Sequence, residues 1–197
     1  MYGLSRPLPA VNTVMYGDGM ADQLSAQDWL DQGLRTLATQ GFSALKAEPL
    51  AKAMGVSRGS FYWHFADIDT FHAAILKAWR EIAAEAIISD IEAASAGSDP
   101  LAILLRRVFS EKLALERAVR NWAAFNAAAK GAVQAIDRRR LDYVEGLIEA
   151  RGAAPETAQA RAQILYWAFL GYALSDKPSP RAPREAVIEE LVRIALS

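Results

Sequence analysis

The chain has 197 residues, 52% of them hydrophobic and 23% charged, which excludes wholesale disorder and suits one ordinary domain or a small domain joined to a larger one. Its 22 basic residues against 23 acidic ones give a net charge of −1, so a globally basic nucleic-acid binder is excluded and any DNA-binding footprint must be local. With no cysteine there is neither a disulfide framework nor a thiolate metal site, in keeping with a cytoplasmic protein.

Residues 1–24 read as a flexible leader. Pro7, Pro9, Gly17 and Gly19 interrupt them, no apolar core of a secretory signal is present, and Met15 or Met20 could serve as the start. From Ser25, a suitable N-cap, the spacing is helical: Leu30, Leu34, Leu37 and Ala38 form one stripe, which Gly41 ends before the apolar Phe42. A second helix is expected over Ala47–Met54, with Pro49 in its first turn and Gly55 at its end, and Ser57 caps a third. Asp67 caps a long helix with Phe71, Ile75, Trp79, Ile82 and Ala86 on one face, running to about residue 96, where Gly97-Ser98-Asp99-Pro100 breaks it.

Five further helices are expected over 100–113, 115–128, 132–151, 156–175 and 184–196, separated in part by Gly131, by 152–155 and by a proline-rich loop over 177–183. No segment alternates with period two. The expected fold is all-α: a three-helix unit over 25–70 containing a helix–turn–helix, followed by a helical bundle over 71–197. The longest apolar run, from Ile164 to Ala173, falls far short of the roughly 20 residues that span a bilayer, so no membrane association is expected.

The stretch Ser57-Arg-Gly-Ser-Phe-Tyr-Trp-His-Phe65 packs four aromatic rings and a histidine into five positions. One helix has one inward face. At about 100° per residue, Phe61 and Phe65 share the buried side, Gly59, Ser60 and Trp63 lie opposite, and Tyr62 and His64 flank them. Such a face suits a DNA groove: the small residues admit the backbone near base edges, Arg58 reaches a phosphate or guanine, and Trp63 packs on a thymine methyl or a sugar. Lys46, Lys52 and Arg58 against Glu48 leave a modest local excess of positive charge.

The block from Trp29 to Trp79, with Gly41-Phe42 and Gly55-Val-Ser-x-Gly-x-Phe-Tyr-x-His-Phe65, resembles the DNA-binding domain of tetracycline-repressor-like (TetR) transcription regulators. The resemblance implies a DNA-binding N-terminal domain and a C-terminal effector-binding and dimerisation bundle. It further implies a homodimer on a palindromic double-stranded operator, a small-molecule effector, and DNA-facing positions at Lys46, Ser57, Arg58, Ser60, Tyr62, Trp63 and His64. Gly59 joins them by its place on the outward face. The family usually opens the first motif helix with Thr or Ser followed by Val; Leu45-Lys46-Ala47-Glu48-Pro49 stands here instead, and Lys46 is expected to take over the phosphate contact.

The later helices carry no motif of comparable specificity. The 164–174 segment is apolar nearly all round and must be covered on two sides, by its own bundle and by a partner subunit. We therefore expect a dimer interface at Ile164, Trp167, Leu170, Gly171, Leu174, Val187, Leu191 and Ile194. Trp122, Phe125, Tyr143, Tyr166 and Phe169 are candidates for an apolar effector pocket. Arg138, Arg139 and Arg140 read as a solvated face beside Asp137, Asp142 and Glu145. The only histidines, His64 and His72, form no metal or catalytic set, so no enzyme, cofactor or metal site is expected. A helical protein-interaction adaptor is the alternative to a DNA-binding regulator.

Overall fold

The structure, a computed structural model, describes residues 24–94, 97, 99–109, 113–175 and 182–196, so nearly all of the expected leader (1–24) and most of the expected 177–183 loop lie outside it. Helix α1 (Ala26–Gln40) opens on Ser25, whose hydroxyl accepts from the Asp28 amide at 3.3 Å while the Asp28 carboxylate accepts from the Ser25 amide at 2.7 Å. This reciprocal cap satisfies donors that no helical carbonyl reaches. Beyond Gly41 a short 3₁₀ turn (Phe42–Ala44) leads into α2 (Ala47–Met54). Gly55, at φ +70°, ends α2 in the left-handed conformation and turns the chain into α3 (Arg58–Tyr62).

An aromatic core holds α3 in place. Phe61 meets Trp29 edge-on at 5.3 Å and Phe71 at 5.2 Å, Phe65 meets Phe71 at 4.9 Å, and all four rings are buried. Phe71 belongs to α4 (Ile68–Arg80), which Asp67 caps by accepting from the Thr70 amide at 2.7 Å. Where α1 crosses α4, a Cβ on Gly33 would stand 2.6 Å from both the Phe71 ring tip and Ile75 Cδ1. Gly33→Leu is accordingly expected to cost about 1–3 kcal/mol through overpacking, despite the better helix propensity of leucine. Urea unfolding measures this, and an unchanged midpoint would show that the crossing tolerates a side chain.

α4 continues through a π-helical turn (Glu81–Glu85) into α5 (Ala86–Ala94). This turn corrects the expected stripe. Phe71, Ile75 and Trp79 are buried, but Ile82 is 51% exposed, and the buried set resumes at Ala84, Ile87, Ile88 and Ile91. The wider turn takes up extra chain and rotates the following helix, so spacing rules for a uniform α-helix fail beyond it.

The bundle comprises α6 (Pro100–Val108), α7 (Ala114–Ala123), α8 (Ala127–Glu149), α9 (Pro155–Leu174) and α10 (Arg184–Leu196). The expected break at Gly131 does not occur: Gly131 lies inside α8, which starts at Asn126 with its side chain accepting from the Ala129 amide at 2.9 Å. One interior glycine costs about 1 kcal/mol, too little to stop a long, well-capped helix. α8 packs between α7 and α9, α10 lies on α6 and α9, and α1 rests on α7. The junction is aromatic: Phe42 stacks on Trp122 at 4.5 Å, and His72 Nε2 donates to the Leu45 carbonyl at 2.9 Å. No strand occurs among the described residues, and none of their helices is long and apolar enough to cross a membrane.

Candidate functional site

α3 presents two unlike faces. Phe61 and Phe65 are turned into the aromatic core, while Trp63 is 83% exposed and Tyr62 44% exposed. Ser57, Arg58 and Gly59 are exposed, and Ser60 and His64 are half-buried. Arg58 donates to the Tyr62 hydroxyl at 2.9 Å, one helical turn away, and its guanidinium lies 5.5 Å from that ring's centroid. The hydrogen bond that Arg58 donates to the Tyr62 hydroxyl is the main cause that raises the Arg58 pKa. Lys46, exposed, occupies the N-cap position of α2 without a side-chain cap bond. A large indole left in water beside a fixed cation and a phenol is a surface awaiting a partner.

The second feature is a partly open, largely apolar cavity of about 180 Å³. The π turn forms one wall through Ile82, Ala83 and Ala84; Leu104 and Leu105 of α6, Val144 of α8 and Leu165 of α9 form others. Its polar end is a network of four charges. Glu116, 4% exposed, receives Arg140 at 2.9 and 3.0 Å and Arg120 at 2.8 Å. Arg120 also binds Asp137 at 2.6 Å, and the Tyr166 hydroxyl donates to Asp137 at 2.5 Å. Arg140 donates in addition to the backbone carbonyl of Ala83, at 3.1 and 3.3 Å, and so ties α8 to the π turn. Burial alone would raise the Glu116 pKa; the guanidinium groups of Arg140 and Arg120 outweigh it and hold the carboxyl below its ordinary value. Burial first, with help from the hydrogen bond to Asp137, pushes Tyr166 up to about 12.

Residues 30–75 match the tetR family of bacterial regulatory proteins. Over 85 residues the chain is 36% identical to the HTH-type transcriptional regulator AcrR of Shigella flexneri, covering 42% of this chain but only 37% of the relative. It is similar in fold to E. coli NemR in its reduced form, with a TM-score of 0.67 and 19% identity over 86% of this chain and 96% of that one. The multidrug binding protein EbrR complexed with malachite green superposes with a TM-score of 0.56 at 25% identity, again over 86% of this chain and 96% of that one.

The five expected pocket residues divide. Tyr143, Tyr166 and Phe169 line the cavity, whereas Trp122 and Phe125 line a separate surface hollow with Leu37, Gly41 and Phe42. The reason is topological: the C-terminal end of α7 abuts the 3₁₀ turn after α1, so Trp122 is spent on the junction and Phe125 is left 69% exposed. The expected solvated arginine face also needs correction. Arg138 is exposed and Arg139 pairs with Glu85 at 3.3 Å near the surface, but Arg140 points inward with Asp137, three residues earlier on the same side of α8. Glu116 and Arg120 went unremarked in the sequence; their i, i+4 spacing on an otherwise apolar face of α7 was the available signal.

On α9, Ile164, Trp167 and Leu174 are 47%, 63% and 45% exposed, and Val187 of α10 is 40% exposed. Gly171 is exposed, and a Cβ built on it would touch nothing within 4 Å. Leu170, Leu191 and Ile194 are half-buried.

Proposed function

We propose that this chain is a ligand-responsive transcriptional repressor that binds a palindromic operator as a homodimer in the cytoplasm and has no catalytic role. The observation that carries the reading is the exposed Trp63 indole on a helix whose phenylalanines are locked inside. Lys46, Ser57, Arg58, Gly59, Ser60, Tyr62, Trp63 and His64 form the DNA-facing set. Arg58 and Lys46 meet phosphates or guanine, while Gly59 and Ser60 allow close approach to base edges. The chain spans little more than a third of its curated relative, so this reading rests on its own residues as much as on likeness.

Selection of bound duplexes from a random DNA pool tests it. Recovery of a palindrome with half-sites about one helical turn apart, bound with an affinity that falls steeply with salt, is expected. Recovery of no preferred sequence, with salt-insensitive capture of protein instead, would favour the adaptor reading.

The dimer uses α9 and α10. Ile164, Trp167, Gly171 and Leu174 recur at spacings of three and four, which is one continuous helical face, and Gly171 lets a partner backbone come close. Trp167→Glu is expected to convert the dimer to monomer in light scattering and to weaken operator binding with it. A variant that stays dimeric would move the interface elsewhere.

The cavity is the effector site. α4, the π turn and α5 are one column, with α3 packed at its start and the cavity at its π turn. An occupant that displaces Ala83 or Arg140 changes the tilt of α4 and so the separation of the two recognition helices, which must sit about 34–36 Å apart on the operator. The likeness to EbrR, solved with malachite green, supports a small-molecule ligand.

A further inference from the structure

The charges at the end of the cavity decide what it can hold. Among the described residues that line it, the charged ones are Glu116 and Arg140, and each is already committed. Glu116 accepts from two guanidinium groups, and Arg140 spends its Nε and both terminal nitrogens on Glu116 and on the Ala83 carbonyl. Behind them Arg120 is held by Asp137 and Tyr166. Two carboxylates and two guanidinium groups sum to zero. The rest of the wall is apolar apart from tyrosine hydroxyls, and Phe169 covers the Arg140 guanidinium at 5.1 Å from its ring centroid.

A carboxylate entering this space would have to take Arg140 from Glu116 and leave that buried carboxylate short of a partner. A cation would have to take Glu116 from two arginines. Either ion would also give up its own hydration inside an apolar shell, the costly situation for any buried charge. A neutral apolar molecule leaves every bond in place and gains the buried area. Size sets the other bound: an apolar cavity of roughly 150 Å³ takes a benzene-sized guest, so about 180 Å³ suits one substituted ring.

Resting on the reading of the cavity as the effector site, we infer that it selects electrically neutral, apolar molecules of about one substituted aromatic ring and rejects carboxylates and ammonium ions of the same shape.

Propylbenzene, phenylacetate and phenethylammonium share a phenyl body and differ in charge. Calorimetric titration of the full chain is expected to show propylbenzene binding roughly tenfold or more tightly than either ion. Binding should vanish in Ile82→Trp, whose half-exposed position at the π turn lets the larger ring fill the cavity without disturbing the core. Glu116→Gln leaves the network one positive charge in excess, and phenylacetate should then gain roughly tenfold on propylbenzene. An ion that binds the unaltered chain as tightly as propylbenzene would overturn the inference, as would no binding by any of the three or survival of binding in Ile82→Trp. Propylbenzene binding that leaves affinity for the selected operator unchanged would spare this inference and remove the ligand response from the proposed function. An operator response to phenylacetate alone would do the reverse.

Discussion

Glu116→Ala is expected to lower the unfolding free energy by about 3–5 kcal/mol, the usual cost of taking one partner out of a buried ion pair. Removing this carboxylate takes the shared partner from Arg140 and Arg120 at the end of the apolar cavity, with Arg140 only 15% exposed and Arg120 13%. Most of the cost is the uncompensated positive charge rather than lost attraction. It is a large share of the 5–15 kcal/mol that holds an ordinary domain together. Urea unfolding of Glu116→Ala, Arg140→Ala and the double variant provides the check. The double variant should be clearly less destabilised than the two single losses added together, because the second truncation removes the charge that the first stranded. Additive losses would mean that the network is solvated and contributes little.

The same pair sets an acid dependence. The Glu116 pKa is lower in the folded chain than in the unfolded one, so the unfolded state binds the proton more readily. Its contribution is therefore complete above the ordinary glutamate value and is lost as the pH falls through the lowered, folded value. Stability of the unaltered chain should decline in that acidic window, and Glu116→Gln should show a shallower decline there. An identical pH profile for the two would assign the acid sensitivity to other carboxylates.

Arg58→Ala and Trp63→Ala are each expected to weaken operator binding by about ten- to a hundredfold, and for different reasons. Arg58 carries a charge held in place by the Tyr62 hydroxyl, so its removal should also flatten the salt dependence of binding, by about one unit of slope if it meets a phosphate. Trp63 carries no charge; its loss should weaken binding at every salt concentration alike. Neither change should affect folding, since both side chains lie outside the aromatic core. Duplex titrations at several salt concentrations, with thermal unfolding as a control, separate the two roles. Undiminished affinity in both variants would take α3 out of the interface.

The outward face of α3 was legible because adjacency is a strong constraint. Five consecutive rings cannot share one side of a helix, so residues 61 and 65 had to divide from 62 and 63 whatever the rest of the chain did. The caps at Ser25 and Asp67 and the stop at Gly55 were legible for a similar reason: each depends on atoms within a few residues of chain. Helix type was local too, since no segment has the alternation that a strand needs.

The cavity was not local. Its walls come from the π turn, α6, α8 and α9, and its charges from α7 and α8, so no spacing rule within one helix could assemble it. Arg140 read as solvated because charged residues crowd it in sequence; its true partner, Glu116, is on another helix. Trp122 and Phe125 are as aromatic as Tyr166 and Phe169, and only the contact between α7 and the turn after α1 sends them elsewhere. The π turn moved the buried stripe off Ile82 in a way that uniform periodicity does not anticipate. Thus the sequence by itself determined an all-helical fold with one two-faced aromatic helix, because capping, glycine turns and ring adjacency act over one or two turns. Only the tertiary structure decided which charges are buried together and what space they enclose, because burial and pairing between helices depend on which faces meet.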